Sequence, residues 1–419
     1  MKELKISSFP PNRDFKNFKN IKSNRQKIID KTTISQINNN YQMNIIANKA
    51  YPDTIQLVIK NIVQETNDIK TYYLASLSQN TLPIFKPGQY ITLLFDINNM
   101  HFSRPYFLSS SPNDAINNVY RISVKKRNNG IISSHMFDNL KINDTLNCLD
   151  ASGDFNISSI RDKKQIVGIC HDIGICPMTS YARGIYEKNI DKLLTIFYVV
   201  KNKDSIIYKN ELNELSKNSN IKVVIVDESN NEKLDISLIK SYVTSKFTVF
   251  SCGNKEFINM VKNELTSINL STKDFRYEIV NAIVNEEEVI EEEQVTDNID
   301  NETQTTNTEE KNTEETNESQ PIEEEKINEY NIKVFTHDNE YNIKCLENQT
   351  ILSALENNNI KARSKCRNGK CGYCRTLLIW GNIKIDEELD NRRKTDIKNN
   401  YIHPCITYPT SDITIKIDI

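Results

Sequence analysis

The sequence predicts a multidomain protein in which a small antiparallel β-barrel, a parallel α/β sheet and a smaller α+β domain follow one another. Residues 51–160 carry short, often alternating strands bounded by Asn, Gly or Pro. Residues 161–280 alternate buried-looking strands with helical stretches, which is typical of a parallel sheet. Residues 329–419 return to short strands around one helix. At 419 residues the chain is long enough for two or three such domains.

The elements of each domain follow from the apolar pattern. In the first domain we expect strands over 54–62, 72–76, 90–95, 104–109, 120–126 and 146–149. In the second we expect strands over 165–170, 193–200, 222–226, 247–252 and 276–280, with helices over 177–189, 205–215, 235–243 and 255–268. In the third we expect strands over 330–336, 341–346, 376–380 and 413–417, and a helix over 351–356.

Two segments lack the apolar residues that a core needs. Residues 1–50 are rich in Lys and Asn and predict a disordered tail, with a transit peptide as the alternative. Residues 281–328 are acidic and rich in Thr and Asn, which predicts a disordered, self-repelling linker. An acidic docking arm is the functional alternative for this linker.

Composition excludes several classes of protein. The net charge of -3 and the pI of about 6.1 provide no basic field, so we expect no nucleic-acid partner. No apolar run approaches the roughly 18–20 residues of a membrane span. The start, MKELKISSF, has no apolar signal core, so a cytoplasmic protein is expected. Nine cysteines, an odd number, do not suggest a set of disulfides.

Three of these cysteines lie within nine residues, in the segment SKCRNGKCGYC. Cys366, Cys371 and Cys374 form a C-x4-C-x2-C pattern, and Cys405 follows. Glycines between the ligands let such a loop fold closely and aim backbone N–H groups at sulfur. The spacing resembles that of plant-type ferredoxins, which implies a β-grasp domain whose four thiolates hold a [2Fe–2S] cluster. A zinc site is the rival, although only one C-x2-C pair is present, with His403 the nearest spare imidazole.

Further motifs resemble the ferredoxin–NADP reductase-like family over residues 51–280. The segment RPYFLSSSP at 104–112 resembles its flavin signature, and SVK at 123–125 and GIIS at 130–133 resemble its next two flavin stretches. GICHDIGICPM at 168–178 and SCGN at 251–254 resemble its nucleotide-domain loops. The resemblance implies FAD, in preference to FMN, held by Arg104, Tyr106, Phe107, Val124, Lys125, Gly130 and Ser133. It implies nicotinamide binding at Gly174, Pro177, Cys252 and Gly253.

The chain departs from this family at four positions. Phe107 stands where a hydroxyl is usual, and His171 and Asp172 stand where small residues let the backbone approach the dinucleotide. A carboxylate there would repel pyrophosphate unless a protonated His171 offset it. Asn254 replaces the usual proline.

The order of the three domains is similar to that of the NADH oxidoreductases that serve hybrid-cluster proteins, and IQLVIKNIVQETNDIKTYYL at 55–74 resembles their opening. The implied function is electron transfer from NADH through FAD and the cluster to a protein acceptor, without a side-chain general base. Reductases of Rieske-type oxygenases share this order and are the close alternative. A relay or binding protein with a decayed nucleotide site is an alternative of another class.

Overall fold

The computed structural model describes residues 54–280 and 327–417 except 79–80, 98–99, 129, 159, 244 and 338, together with residues 24 and 27. The predicted tail at 1–50 and the predicted linker at 281–328 therefore lie outside the described residues, apart from 24, 27, 327 and 328. No helix among the described residues is both long and apolar enough to cross a membrane.

The first domain is an antiparallel six-stranded sheet in the order β4-β3-β6-β1-β2-β5. Its elements are β1 Ile55–Gln64, β2 Ile69–Ser76, β3 Tyr90–Ile97, β4 Met100–Phe107, α1 Pro112–Ile116, β5 Tyr120–Lys125, α2 Ile131–Asn139 and β6 Thr145–Ser152. Just beyond β4, the Ser109 N–H donates to the Arg121 carbonyl on β5 at 2.8 Å. This bond draws the two edge strands together, so the sheet curls into a barrel around buried Leu57, Tyr72 and Tyr120.

The second domain is a parallel five-stranded sheet in the order β11-β10-β7-β8-β9. Its elements are β7 Gln165–His171, α3 Ile175–Tyr186, β8 Leu193–Val200, α4 Lys209–Leu215, β9 Ile221–Asp227, α5 Ile236–Tyr242, β10 Phe247–Gly253, α6 Lys255–Thr266 and β11 Phe275–Ile279. The strand order reverses between β7 and β10. Ligands of open α/β sheets bind outside the carboxyl ends of the strands at such a point.

The third domain is a mixed five-stranded sheet in the order β13-β12-β18-β14-β16, beside a two-stranded sheet of β15 and β17. Its elements are β12 Glu329–Phe335, β13 Glu340–Leu346, α7 Ile351–Asn357, β14 Thr376–Trp380, β15 Ile383–Ile385, α8 Lys394–Lys398, β16 Tyr401–Ile402, β17 Thr407–Pro409 and β18 Ile413–Lys416. Strand β12 pairs in parallel with β18 and antiparallel with β13. Helix α7 buries Ile351, Ala354 and Leu355 against this sheet.

The predicted fold class is confirmed: an antiparallel barrel, a parallel α/β sheet and a ferredoxin-like α+β domain. One helix was predicted too long, because the stretch 205–215 becomes helical only at Lys209. The Asn202 side chain caps a 3-10 turn over Lys203–Ser205, and Tyr208 takes a left-handed conformation with a φ of 57°. Helices α1 and α8 were not predicted. The domain boundaries stay predictions.

A partly buried polar network joins the barrel to the parallel sheet. Arg121 donates to both carboxylate oxygens of Glu211, at 2.6 and 3.1 Å, and Arg183 donates to the same carboxylate at 2.7 Å. The Tyr208 hydroxyl donates to Ser109 Oγ at 3.1 Å and also contacts the Ser123 hydroxyl. These contacts fix the barrel against the parallel sheet.

Candidate functional site

The segment 364–374, which contains three of the predicted cluster ligands, is called the cysteine-rich loop here. A cavity opens where the barrel, the parallel sheet and this loop meet, and its volume is about 1140 Å³ including solvent at its mouth. Six of the seven residues that the sequence assigned to flavin line it: Arg104, Tyr106, Phe107, Val124, Lys125 and Ser133. Cys366, the first predicted cluster ligand, lines the same cavity. The structure therefore brings together side chains whose proposed roles belong to two different cofactors.

The ends of β4 and β5 supply most of these side chains. Tyr106 and Phe107 end β4, and the Phe107 ring meets the Tyr90 ring edge-on with their centres 6.2 Å apart. Val124 and Lys125 end β5. One wall of the cavity is thus aromatic, and Phe107 extends that wall at the position where the family that this segment resembles usually carries a hydroxyl.

Gly130 and Ser133 form the start of α2. Gly130 is the N-cap residue, and the Ser133 hydroxyl donates to its carbonyl at 3.2 Å. The same hydroxyl accepts a hydrogen bond from the Arg127 N–H at 3.2 Å. Ser133 therefore holds the chain at the helix start, which is where a phosphate would meet backbone N–H groups.

The four residues assigned to nicotinamide meet at the carboxyl ends of β7 and β10. Gly174 packs so closely that a Cβ atom there would lie 2.2 Å from the Cys252 carbonyl oxygen. Pro177 lies in the first turn of α3, and Gly253 ends β10. Cys252 is fully buried, and burial raises the pKa of its thiol well above the ordinary value.

The cavity wall on this side comes from β11 and α3 rather than from Cys252. Ile173, Cys176, Glu278, Ile279 and Val280 line it. The end of β11 was not predicted from the sequence to be part of a site. Its position as the last strand of the parallel sheet was the one feature of the sequence that could have indicated a place beside β10.

Two departures from the family have partners in the structure. Lys125 forms an ion pair with Asp172 and lies 3.5 Å from the Asp68 carboxylate. Burial acts to lower the pKa of Lys125, but these carboxylates outweigh it and raise that pKa above the ordinary value. Asn254, in place of proline, caps α6 by accepting the Phe257 N–H at 2.9 Å.

His171 does not supply the compensating charge that the sequence suggested. Burial lowers the pKa of His171 below its ordinary value of 6.5, so the imidazole is mainly neutral at pH 7. Its ring packs against the Phe257 ring with the centres 5.4 Å apart. Lys125, from the neighbouring domain, neutralises Asp172 instead.

The four predicted cluster ligands fall into two close pairs. The Sγ atoms of Cys374 and Cys405 lie 3.5 Å apart, and the Cys366 and Cys371 side chains hydrogen-bond to one another. That bond lowers the pKa of Cys371 to about 7 and raises that of Cys366. Cys371 is exposed, whereas the other three are buried.

The loop between these ligands is shaped by backbone conformation. Arg367, Gly369 and Gly372 have φ values of 54°, 75° and 66°. A Cβ atom at Gly369 would lie 2.4 Å from the Leu389 carbonyl oxygen, so only glycine fits there. The Cys371 N–H points at Cys366 Sγ, 3.3 Å away, and the Tyr373 N–H points at Cys371 Sγ, 3.4 Å away.

These features test whether the residues fit a [2Fe–2S] cluster. A cluster of this kind takes four thiolates, two at each iron, and the structure supplies four thiols in two pairs. Within the described ranges, no group of three or more His, Cys, Asp or Glu side chains is arranged to hold a single metal ion. The division into two pairs fits two iron atoms better than one tetrahedral zinc ion.

Charged contacts hold the cysteine-rich loop against both other domains. Lys365 lies 2.6 Å from Asp150 of the barrel. Lys370 lies 2.9 Å from Glu278 of the parallel sheet, and Asn368 donates to the same carboxylate at 2.9 Å. Burial raises the pKa of Glu278 above its ordinary value. None of these pairings was predictable, since the partners lie far apart in the sequence.

Comparison with protein-family models gives three matches in chain order. Residues 54–157 match an oxidoreductase FAD-binding domain, residues 169–263 an oxidoreductase NAD-binding domain, and residues 334–410 a 2Fe-2S iron-sulfur cluster binding domain. The fold and these matches define a modular oxidoreductase with one domain for each cofactor. FAD rather than FMN fits the matched flavin domain.

Individual proteins agree with this organisation. The chain is 25% identical to flavohemoprotein A of Dictyostelium discoideum over 250 residues, 56% of this chain and 62% of that protein. It is 22% identical to the glycine betaine monooxygenase reductase subunit of Chromohalobacter salexigens, over 85% of this chain and 93% of that protein. The chain thus spans about six-tenths of the length of the flavohemoprotein.

Among solved structures, phthalate dioxygenase reductase shares the fold with a TM-score of 0.60 and 18% identity, covering 87% of this chain and 98% of that chain. This likeness shows a shared fold. The three domain matches show an oxidoreductase with an FAD-binding domain, an NAD-binding domain and a C-terminal 2Fe-2S domain, in that order.

Proposed function

We propose that this chain is an NADH-dependent electron-transfer reductase that passes electrons from FAD to a [2Fe–2S] cluster and on to a protein acceptor. The proposal assigns FAD to Arg104, Tyr106, Phe107, Val124, Lys125, Gly130 and Ser133. It assigns nicotinamide to Gly174, Pro177, Cys252 and Gly253, and the cluster to Cys366, Cys371, Cys374 and Cys405. The domain bounds 51–160, 161–280 and 329–419 and a cytoplasmic location belong to the same proposal.

The observation that carries this proposal is the shared cavity. Residues assigned to flavin and the cluster ligand Cys366 line one space, so electrons need to cross no intervening domain. Bound FAD would supply the chemistry of accepting a hydride from NADH and of releasing single electrons to the cluster.

The proposed role of the chain's own residues is to bind and orient the cofactors and to shield them from water. Tyr106 offers a flat face to a ring system, and Phe107 and Tyr90 make that side apolar. Lys125 neutralises Asp172 and thereby removes a repulsive charge from the approach of a dinucleotide phosphate. No side-chain acid or base is needed for hydride transfer, so none is assigned.

We propose two candidates for the protein that accepts electrons from the cluster. The resemblance of residues 55–74 to the enzymes that serve hybrid-cluster proteins motivates a hybrid-cluster protein. The relative that matches over 93% of its own length is a reductase subunit of a monooxygenase, which favours an oxygenase component. Reduction of each purified candidate by this chain and NADH, measured side by side, distinguishes them.

The test of the proposed function is anaerobic stopped-flow mixing of the FAD- and cluster-loaded protein with NADH. We expect the flavin band to bleach within seconds and the cluster signal in electron paramagnetic resonance to follow. A protein that takes up no flavin after reconstitution would contradict the proposal. A flavin that NADH does not reduce, but that a chemical reductant does, would favour the relay protein with a decayed nucleotide site.

A further inference from the structure

We propose that Glu356, on helix α7 of the cluster domain, is a positioning residue that holds the cysteine-rich loop against the flavin barrel. This inference rests on the proposed function, because it concerns the step between flavin and cluster. Glu356 lies outside every motif that the sequence pointed to, and it touches neither the thiols nor the nicotinamide site.

The carboxylate of Glu356 bridges two arginines from different domains. Its Oε1 accepts a hydrogen bond from Arg367 Nη1 at 2.7 Å, and its Oε2 lies 3.5 Å from Arg104 Nη1. Arg367 directly follows the cluster ligand Cys366, and Arg104 lies on β4 among the residues assigned to flavin. One side chain therefore links the residue next to a ligand with the flavin strand.

The same two arginines share a second acceptor. Arg104 and Arg367 both donate to the Ser103 carbonyl, at 3.0 and 3.4 Å, and the Ser103 hydroxyl contacts the Ser364 hydroxyl of the cluster domain. Ser103 is buried, as are Glu356 and Arg367. This junction is a desolvated contact between the domains, so its charges must balance locally.

Because the Glu356 carboxylate is buried between two arginines, loss of its negative charge is energetically unfavourable. The side chain of Glu356 is 4% exposed and that of Arg367 is 6% exposed, whereas Arg104 is 16% exposed. Without the negative charge, both guanidinium groups would lose the carboxylate that they share. Such uncompensated buried charges are strongly unfavourable, and separation of the loop from β4 relieves them.

Other contacts between the cysteine-rich loop and the barrel involve more exposed charged groups than the Glu356 junction does. The Thr92 hydroxyl donates to the Lys365 carbonyl at 3.0 Å, and Lys365, 14% exposed, pairs with Asp150, whose side chain is 44% exposed. Partly exposed pairs contribute little to stability. Glu356 is thus the residue whose charge decides how closely the loop approaches the flavin cavity.

The first test follows the electrons in the full-length protein loaded with FAD and cluster. In Glu356→Gln we expect NADH to reduce the flavin at a rate within twofold of the unaltered protein, and the cluster to be reduced at least tenfold more slowly. The matched control is Glu340→Gln, which breaks an exposed pair with Lys333 in the same domain and should change neither rate. A cluster-reduction rate in Glu356→Gln within twofold of the unaltered protein would overturn the proposal.

The second test measures docking without any electron transfer. A zero-length carbodiimide joins the Lys365 amine to the Asp150 carboxylate, 2.6 Å apart, and mass spectrometry quantifies the product. We expect its yield to fall at least threefold in Glu356→Gln and to stay unchanged in Glu340→Gln. An unchanged yield in Glu356→Gln contradicts the positioning role even if the rates differ.

The two readouts separate this inference from the proposed function. If NADH fails to reduce the flavin of the unaltered protein, the proposed function fails, while the cross-link still decides whether Glu356 positions the loop. Iron and sulfide content is measured in every variant, so that loss of the cluster is not mistaken for slow transfer. Should Glu356→Gln not fold, Glu356→Asp replaces it, since the shorter side chain cannot reach both arginines, and the same two measurements decide.

Discussion

The charge around Asp172 decides whether a dinucleotide phosphate can approach the carboxyl end of β7. Asp172 has a left-handed backbone with a φ of 53°, and its carboxylate pairs with Lys125. Lys125 was assigned to flavin from its motif, and Asp172 was judged an obstacle to nucleotide binding. The structure makes the two residues one unit, which the sequence alone could not show because they lie 47 positions apart in different domains.

Removal of Lys125 should therefore weaken NADH binding through Asp172. For Lys125→Gln at saturating FAD we expect the Kd of NADH to rise about tenfold, or about 1.4 kcal/mol, because an unpaired carboxylate would face the phosphates. The double variant Lys125→Gln with Asp172→Asn should recover to within about threefold of the original. Stopped-flow flavin reduction against NADH concentration gives these values.

The neighbouring lysine provides the control for that experiment. Lys126 pairs with Asp138 on the exposed side of the barrel, and Lys126→Gln should leave the Kd of NADH unchanged. An equal rise of the Kd in both variants would mean that general charge, not the pair with Asp172, governs binding.

The proposed ligand Cys405 can be tested against another buried cysteine of the same domain. We expect Cys405→Ala to lose the cluster, with iron falling from about two per chain to near none, because one iron loses half of its thiolates. Cys345→Ala, on β13, should keep its iron. Both variants should retain FAD. Iron and sulfide assays with the visible spectrum measure this, and a cluster that persists in Cys405→Ala would exclude that residue as a ligand.

Helices and strands were predictable where the apolar pattern was strong. All twenty elements named from the sequence exist, and β7 to β11 lie close to the expected residues. Helix α1 was missed because it has five residues, although Ser111 and Asp114 form a capping box that marks its start. Helix α8 is equally short. Short elements depend on tertiary packing, which a local pattern does not contain.

The assignment of the site residues to cofactors stays a prediction. The structure brings six residues of the flavin motifs and Cys366 of the cysteine motif to one cavity. Glu278 and Glu356 could not be selected, since each is an ordinary strand or helix residue until Lys370, Arg367 and Arg104 are placed beside it. Charge pairing across domains is a property of the assembled fold.

The packing of α3 against β10 depends on the absence of a side chain at Gly174. A Cβ atom there would collide with the carbonyl oxygen of Cys252, a backbone atom that cannot move aside as a side chain can. We expect Gly174→Ala to destabilise the protein by about 2 kcal/mol and to weaken NADH binding, because strain pushes β10 from the helix start. Thermal unfolding and NADH titration check these two effects.

Gly168, on β7, is the matched control for this substitution. Its nearest neighbour would be the Met178 sulfur at 2.8 Å, a flexible side-chain atom that can move aside. Gly168→Ala should therefore cost less than about 1 kcal/mol. If the two substitutions cost the same, close backbone approach is not what Gly174 provides.

The three domains are joined in two different ways. Between the barrel and the parallel sheet, Arg121, Arg183 and Glu211 form a partly buried network that includes bidentate pairing. The cluster domain is joined by the Glu356 junction and by single pairs such as Lys365 with Asp150 and Lys255 with Asp386. The single, partly exposed pairs are screened by salt, whereas the buried Glu356 junction is screened much less, so raised ionic strength weakens mainly the former.

The network at Glu211 makes the stability of the joined barrel and sheet depend on pH. Burial acts to raise the pKa of Glu211, but Arg121 and Arg183 outweigh it and hold that pKa below the ordinary value of 4.5. A carboxyl with a lowered folded-state pKa stabilises the fold above its unfolded pKa and loses that effect as the pH falls through the folded value.

Glu211→Gln should destabilise the protein by about 3 kcal/mol at neutral pH, because two arginines lose their shared carboxylate. The gap in unfolding midpoint between the unaltered protein and Glu211→Gln should stay constant above pH 4.5 and narrow below it. Glu214→Gln, which breaks an exposed pair with Lys217 just beyond the same helix, should change the free energy of unfolding by less than about 0.5 kcal/mol at every pH. A gap that widens in acid would show that Glu211 is not charged in the folded protein.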